Sequence, residues 1–191
     1  MDSVQGLGRA RTLDGVRTAG LLCAIGGGGW LAIGVVSEVV FPPTGTGYAI
    51  SQMFWILVQT LLLIGVIGLA LSGAAPGWFG TVALGIALLG RLDFVAAEVH
   101  SLVIGEESLF LPLGALLTAV GMTLVGVSVL RARRWGGWLR FTPLLVGLYP
   151  FAAMFPLIAV TDEPSMIAIA VWGLPWLFLG YALYSMSTRE R

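Results

Sequence analysis

Apolar residues run uninterrupted by charge over four long stretches of this chain. No charged residue falls between Glu38 and Arg91, between Glu107 and Arg131, between Arg140 and Asp162, or between Glu163 and Arg189. A helix needs about 20 apolar residues to cross the hydrocarbon core of a bilayer. Stretches such as LVQTLLLIGVIGLALSG and ALLTAVGMTLVGVSVL are apolar on all sides. They lack the two-residue alternation of a membrane β-barrel strand.

Proline- and glycine-rich breaks divide the pattern into six spans, at about residues 18–40, 48–71, 78–102, 109–130, 139–160 and 165–187. The FPPTGTG and SGAAPGWFG segments separate the first three, and TDEP separates the last two. Glycines at 26–29 and 34 in the first span let a neighbouring helix approach closely. No internal repeat is visible, and the prolines inside spans cluster in the fifth and sixth.

The composition agrees with this pattern. Of 191 residues 58% are hydrophobic and 10% charged, against about 25% charged in an ordinary soluble domain. Net charge is zero, so nothing in the overall field favours nucleic acid. One cysteine, Cys23, and one histidine, His100, leave no basis for an internal disulfide, bis-His haem ligation or a structural zinc site. No phosphate loop or nucleophile elbow is present, and no cofactor is expected.

All ten basic residues are arginines, and nine lie in residues 1–17, 131–140 and 189–191. Six spans place those three segments on one side, which the positive-inside rule makes cytoplasmic. Trp78, Trp135 and Trp138 then fall at the cytoplasmic interface. The reading is an all-α, multi-pass cell-membrane protein. One domain spans residues 18–187, with cytoplasmic tails at 1–17 and 188–191. Glu106, Glu107, Asp162 and Glu163 become solvated charges of the outer loops.

One segment breaks the apolar rule. Residues 91–107, RLDFVAAEVHSLVIGEE, hold four of the ten acidic residues and the histidine, and begin inside the third span. A charge at the centre of a bilayer costs about 2.5–3.5 kcal/mol on insertion scales, so such a residue marks a candidate site. At about 1.5 Å per residue from Trp78, Arg91 and Asp93 reach the outer third of the membrane, and Glu98 and His100 approach its outer rim. Arg91 and Glu98, seven apart, share one helix face. Asp93 and His100 share nearly the opposite one.

Asp93 and Glu98 are the candidate catalytic acids. A carboxyl group held neutral by an apolar surround can donate a proton to an olefin or epoxide. Arg91 needs a carboxylate from another helix, and Glu38 is nearest in depth. Gln52 and Gln59 share a face of the second span, and Gln59 falls level with Arg91. Tyr149, Trp172 and Trp176 supply aromatic faces able to steady a cation. Arg91, Gln59, Glu38, His100, Tyr149, Trp172 and Trp176 are therefore the candidate substrate-binding residues, around a pocket open to the outside.

The function expected is a membrane-embedded enzyme acting on a lipophilic, prenyl- or lipid-like molecule by acid/base chemistry, such as proton-initiated cyclisation or isomerisation. A small proton- or ion-coupled transporter and a non-catalytic accessory subunit are the alternatives. The inner halves of the spans are nearly free of ionisable groups, which weighs against transport. The expected partners are the lipid bilayer and a lipophilic small molecule.

Overall fold

The computed structural model of the chain describes the backbone of residues 2–40, 45–161 and 166–189, and the side chains of residues 12–36, 45–160 and 166–185. Within them every regular element is helical. Helix α1 covers Asp2–Val40, α2 Gly45–Leu71, α3 Gly77–Ile104 and α4 Leu111–Ala132. A 3-10 turn at Gly137–Phe141 leads into α5, Thr142–Tyr149, and a π-helical turn at Pro150–Met154 joins it to α6, Phe155–Thr161. The last rod is α7, Met166–Val171, followed by α8, Gly173–Arg189.

Five segments are long and apolar enough to cross a membrane: Thr12–Val36, Gly45–Leu71, Leu111–Ala132, Gly137–Val160 and Met166–Ser185. Helix α3, with 28 residues, is about 42 Å long at 1.5 Å per residue and carries the charged residues. The distribution of polarity fits a multi-pass membrane protein. Leu21, Ile25, Met53, Phe54, Leu57, Leu89 and Leu116 lie exposed on the outside, while Gln52, Gln59, Arg91, Glu98, Thr118 and Ser128 are buried.

The rods close into a ring. Helix α1 packs on α2, α2 on α3, α3 on α4 and α4 on α5; α8 packs on both α5 and α1. Small residues set these contacts. Gly20, Gly27 and Gly34 recur every seven residues on α1 and meet α7 and α8. A methyl group at Gly27 would come within 2.5 Å of the Leu177 backbone nitrogen, and one at Gly180 within 2.3 Å of that of Ala24. Across the ring, Gly121 of α4 meets Ala87, and Gly147 of α5 meets Thr123, with equally little room. Backbones packed this closely gain dispersion contacts that larger side chains would forbid.

The segments Gly137–Val160 and Met166–Ser185 are broken by proline and mended by aromatic side chains. Pro150 lacks the N–H that the Val146 carbonyl would receive in a helix; the Trp172 indole Nε1 donates to that carbonyl at 2.8 Å. Pro175 likewise gives Val171 no donor, and the chain turns at Trp172 between α7 and α8. Here Tyr149 Oη donates to the Ala168 carbonyl at 2.7 Å, and Trp30 Nε1 donates to that of Ile169 at 2.6 Å. Hydrocarbon offers no water to satisfy such groups, so broken spans need partners from neighbouring helices.

Two details differ from the sequence expectation. Residues 2–17 belong to the same unbroken helix as the first span; no proline occurs before Pro42 to end it. Helix α3 runs on to Ile104, where Gly105 caps it with φ 76° and its N–H bonds to the Ser101 carbonyl. Arg91 sits near the middle of this helix. Trp78 and Trp138 are exposed as interface residues would be, whereas Trp135 is buried. Asp162 and Glu163 lie outside the described residues.

Candidate functional site

Helix α3 turns its Arg91 face inward. Arg91 is fully buried, and Glu98, two turns on, is 5% exposed. Gln59 of α2 stands between them. Its Oε1 accepts a hydrogen bond from Arg91 Nη2, and its side chain also bonds to the Glu98 carboxyl group. The result is a polar relay, Arg91–Gln59–Glu98, in the core of an apolar bundle.

Aromatic rings surround the cation. The guanidinium carbon lies 4.9 Å from the Trp176 ring centroid, 5.0 Å from that of Phe94 and 5.7 Å from that of Trp30. Each contact is worth on the order of 0.5–2 kcal/mol away from water, and the Gln59 bond about 1.5–3 kcal/mol. Trp30 meets Trp55 at 5.3 Å and Trp172 at 5.4 Å edge to face, and Trp172 leads on to a tilted Trp176 at 6.3 Å.

The relay leaves donors unused. Arg91 Nε and Nη1 and Trp176 Nε1 are buried with no hydrogen-bond partner, and so is the acceptor Gln52 Oε1. Gln52 Nε2 donates to Tyr48 Oη at 2.8 Å. Beyond the cage toward the other end of α2 and α3, the buried side chains are Leu62, Val66, Leu69, Ala83, Leu84 and Ala87. Among the described residues the buried charged side chains, Arg91 and Glu98, thus lie between the cage and the Tyr48 and Ser101 end, while toward the other end only hydroxyls such as Ser128 and Thr142 are buried. Cys23 is buried beside Trp176, whose carbonyl its thiol approaches at 3.5 Å.

The remaining candidates lie elsewhere. Asp93 is half-buried on the α3–α4 seam, with its carboxylate against the backbone of Gly114 in the first turns of α4. A helix N-terminus favours negative charge, which gives Asp93 a local structural reason. His100 is exposed; its Nδ1 pairs with Ser108 Oγ at 3.1 Å and its ring rests on Phe110. That arrangement fastens the turn between α3 and α4. Tyr149 serves the broken carbonyl of Ala168. Glu38, expected to pair with Arg91, has its side chain outside the described residues. Among the described residues no carboxylate bonds Arg91 directly, and no group of His, Cys, Asp and Glu is arranged to hold a metal ion.

Trp30, Trp55 and Phe94 belong to the cage without having been singled out in the sequence. Two signals were available. Phe94 follows Arg91 by three residues and Trp55 precedes Gln59 by four, so each shares its neighbour's helix face. A groove of about 390 Å³ lies on the outer face of α1 and α8, lined by Leu21, Ala24, Ile25, Leu177, Gly180, Tyr181 and Tyr184. No family model matches this chain, and no curated protein or solved structure compared with it is similar.

Proposed function

We propose that the protein crosses the cell membrane six times, with both termini cytoplasmic, and that the Arg91–Gln59–Glu98 relay is the reacting centre of a membrane-embedded enzyme. Its substrate is a lipophilic, prenyl- or lipid-like molecule. The observation that carries this reading is the burial of Glu98 and Arg91 on one face, joined by Gln59, against a wall of indole rings.

The chemistry is balanced within the site. The Glu98 carboxyl group gives its proton to an olefin carbon, which leaves a carbocation. The π-faces of Trp30, Trp172 and Trp176 stabilise that cation where water is excluded. The carboxylate then removes a proton from a neighbouring carbon, so the net result is isomerisation or cyclisation. Gln59 orients the carboxyl group, and Arg91 clamps any oxygen on the substrate. Asp93 lies on another seam and is the comparison residue.

Purified protein in nanodiscs, incubated with polyprenyl substrates in D₂O, should introduce deuterium into product detected by mass spectrometry. Glu98→Gln should lower that turnover by about 10²–10⁴-fold, the usual contribution of a general acid, while Asp93→Asn retains most of it. Full turnover in Glu98→Gln would sink the assignment. The six-span topology is checked separately with a membrane-impermeant thiol reagent. Asp14→Cys and Gly136→Cys should label from one side of sealed vesicles and Glu106→Cys from the other.

A second reading is a non-catalytic accessory protein whose core is packed for stability. It is favoured by the aromatic rings packed against Arg91 and by the groove on the outer face of α1 and α8. Under that reading Glu98→Gln alters melting temperature, and no polyprenyl substrate is turned over by any variant.

A further inference from the structure

We propose that the Arg91 cage binds the carboxylate of a long-chain fatty or prenyl acid. The clue is the chemistry of what is missing. Guanidinium and indole nitrogens donate and never accept, so the partners absent from Arg91 Nε, Arg91 Nη1 and Trp176 Nε1 must be acceptors. An unmet buried donor costs on the order of 1–3 kcal/mol, and a charged one more. Arg91 and Trp176 are both fully buried, with the guanidinium over the indole face at 4.9 Å, so the unmet Arg91 donors lie in a dry, apolar setting.

The geometry of the guanidinium narrows the acceptor. Gln59 occupies one of the two hydrogens on Nη2. The other lies on an edge shared with Nε–H or with an Nη1–H. Whichever hydrogen Gln59 takes, one complete two-donor edge stays open. A carboxylate accepts both hydrogens of such an edge, as carboxylates commonly do with arginine. Its single negative charge also matches the single positive charge, which Glu98 meets only through Gln59. A phosphate would bring excess charge into the core. The surroundings dictate the rest of the ligand. Trp30, Phe94 and Leu62 pack about the same level, so whatever carries the carboxylate must be apolar. The run of Tyr48, Gln52, Ser101 and Glu98 supplies a polar approach from one end of the bundle.

This inference deepens the reading of the cage as a substrate site, but it requires no chemistry at Glu98. The test is equilibrium binding of tritiated oleate to the wild-type chain in phosphatidylcholine nanodiscs. Saturable binding of one oleate per chain is expected, with methyl oleate and oleyl alcohol at least tenfold weaker competitors. Inorganic phosphate and chloride should not compete. Arg91→Gln should weaken oleate at least tenfold. Equal binding of the methyl ester, displacement by inorganic anions, or no saturable binding each overturns the proposal. These outcomes come from unmodified protein, so they stand even if Arg91→Gln fails to fold. Oleate binding without turnover of any prenyl substrate supports the carboxylate site and overturns only the catalytic reading.

Discussion

The indole of Trp172 should be worth much less in a chain whose Pro150 is replaced by alanine. Trp172 Nε1 donates at 2.8 Å to the Val146 carbonyl, the group left without a helical donor because Pro150 has no N–H. Pro150 has ordinary helical angles, φ −57° and ψ −41°, so an alanine there would aim its N–H at Val146. In the natural chain, Trp172→Phe removes the hydrogen bond and orphans the carbonyl, at a cost of about 1–3 kcal/mol, and also loses ring contacts with Trp30 and Trp176. In a Pro150→Ala background the ring loss remains but the carbonyl keeps a partner. The difference between the two costs isolates the hydrogen bond. Cycles of this kind in membrane proteins average about 0.6 kcal/mol and reach about 1.7. We expect about 1 kcal/mol here, roughly a fivefold change in the unfolding equilibrium. Equilibrium unfolding in mixed micelles of increasing SDS fraction measures all four corners. Costs that agree within about 0.3 kcal/mol in the two backgrounds would refute the view that Trp172 mends the proline break.

Gly27→Ala should lower the melting temperature clearly, since its methyl would lie 2.5 Å from the Leu177 nitrogen, whereas Gly28→Ala, with its nearest neighbour at 3.9 Å, should change it little; thermal size-exclusion traces compare them. Gln59→Leu should destabilise the bundle by about 3 kcal/mol, because it strips Arg91 and Glu98 of their shared partner at once; SDS unfolding reads this out, and a cost under 1 kcal/mol would contradict the relay. His100→Ala should cost no more than about 0.5 kcal/mol, as expected for an exposed side chain, in the same assay.

The helical frame was largely legible because hydrocarbon length and charge-free runs leave few alternatives. The pairing of Arg91 with Glu98 on one face followed from their spacing, and Gln59, expected level with Arg91, bonds to it. What stayed hidden was rotation. Seven-residue spacing also put Asp93 and His100 together, and the sequence offered no way to choose which pair faced inward. Contacts between distant segments, such as Gly90 against Thr118 and Gly121 against Ala87, fix that choice. The roles of Trp30 and Tyr149 were hidden for a similar reason. Each serves a carbonyl near the break before Trp172, and only the closed ring brings them there.

The glycine seam between α1 and α8 has a consequence for assembly. The first and last helices of the ring meet along this seam, so the ring cannot close until its last member has entered the membrane. Until then Arg91 has Trp30 and Phe94 beside it but lacks Trp176, and the Val146 carbonyl lacks the Trp172 indole. A growing chain therefore holds a costly cation and a bare carbonyl in the bilayer until α8 joins the ring. The last helix acts as the closing step that makes every earlier compromise tolerable. A chain halted before it should be recognised and removed as unfinished, although most of its spans are already in place.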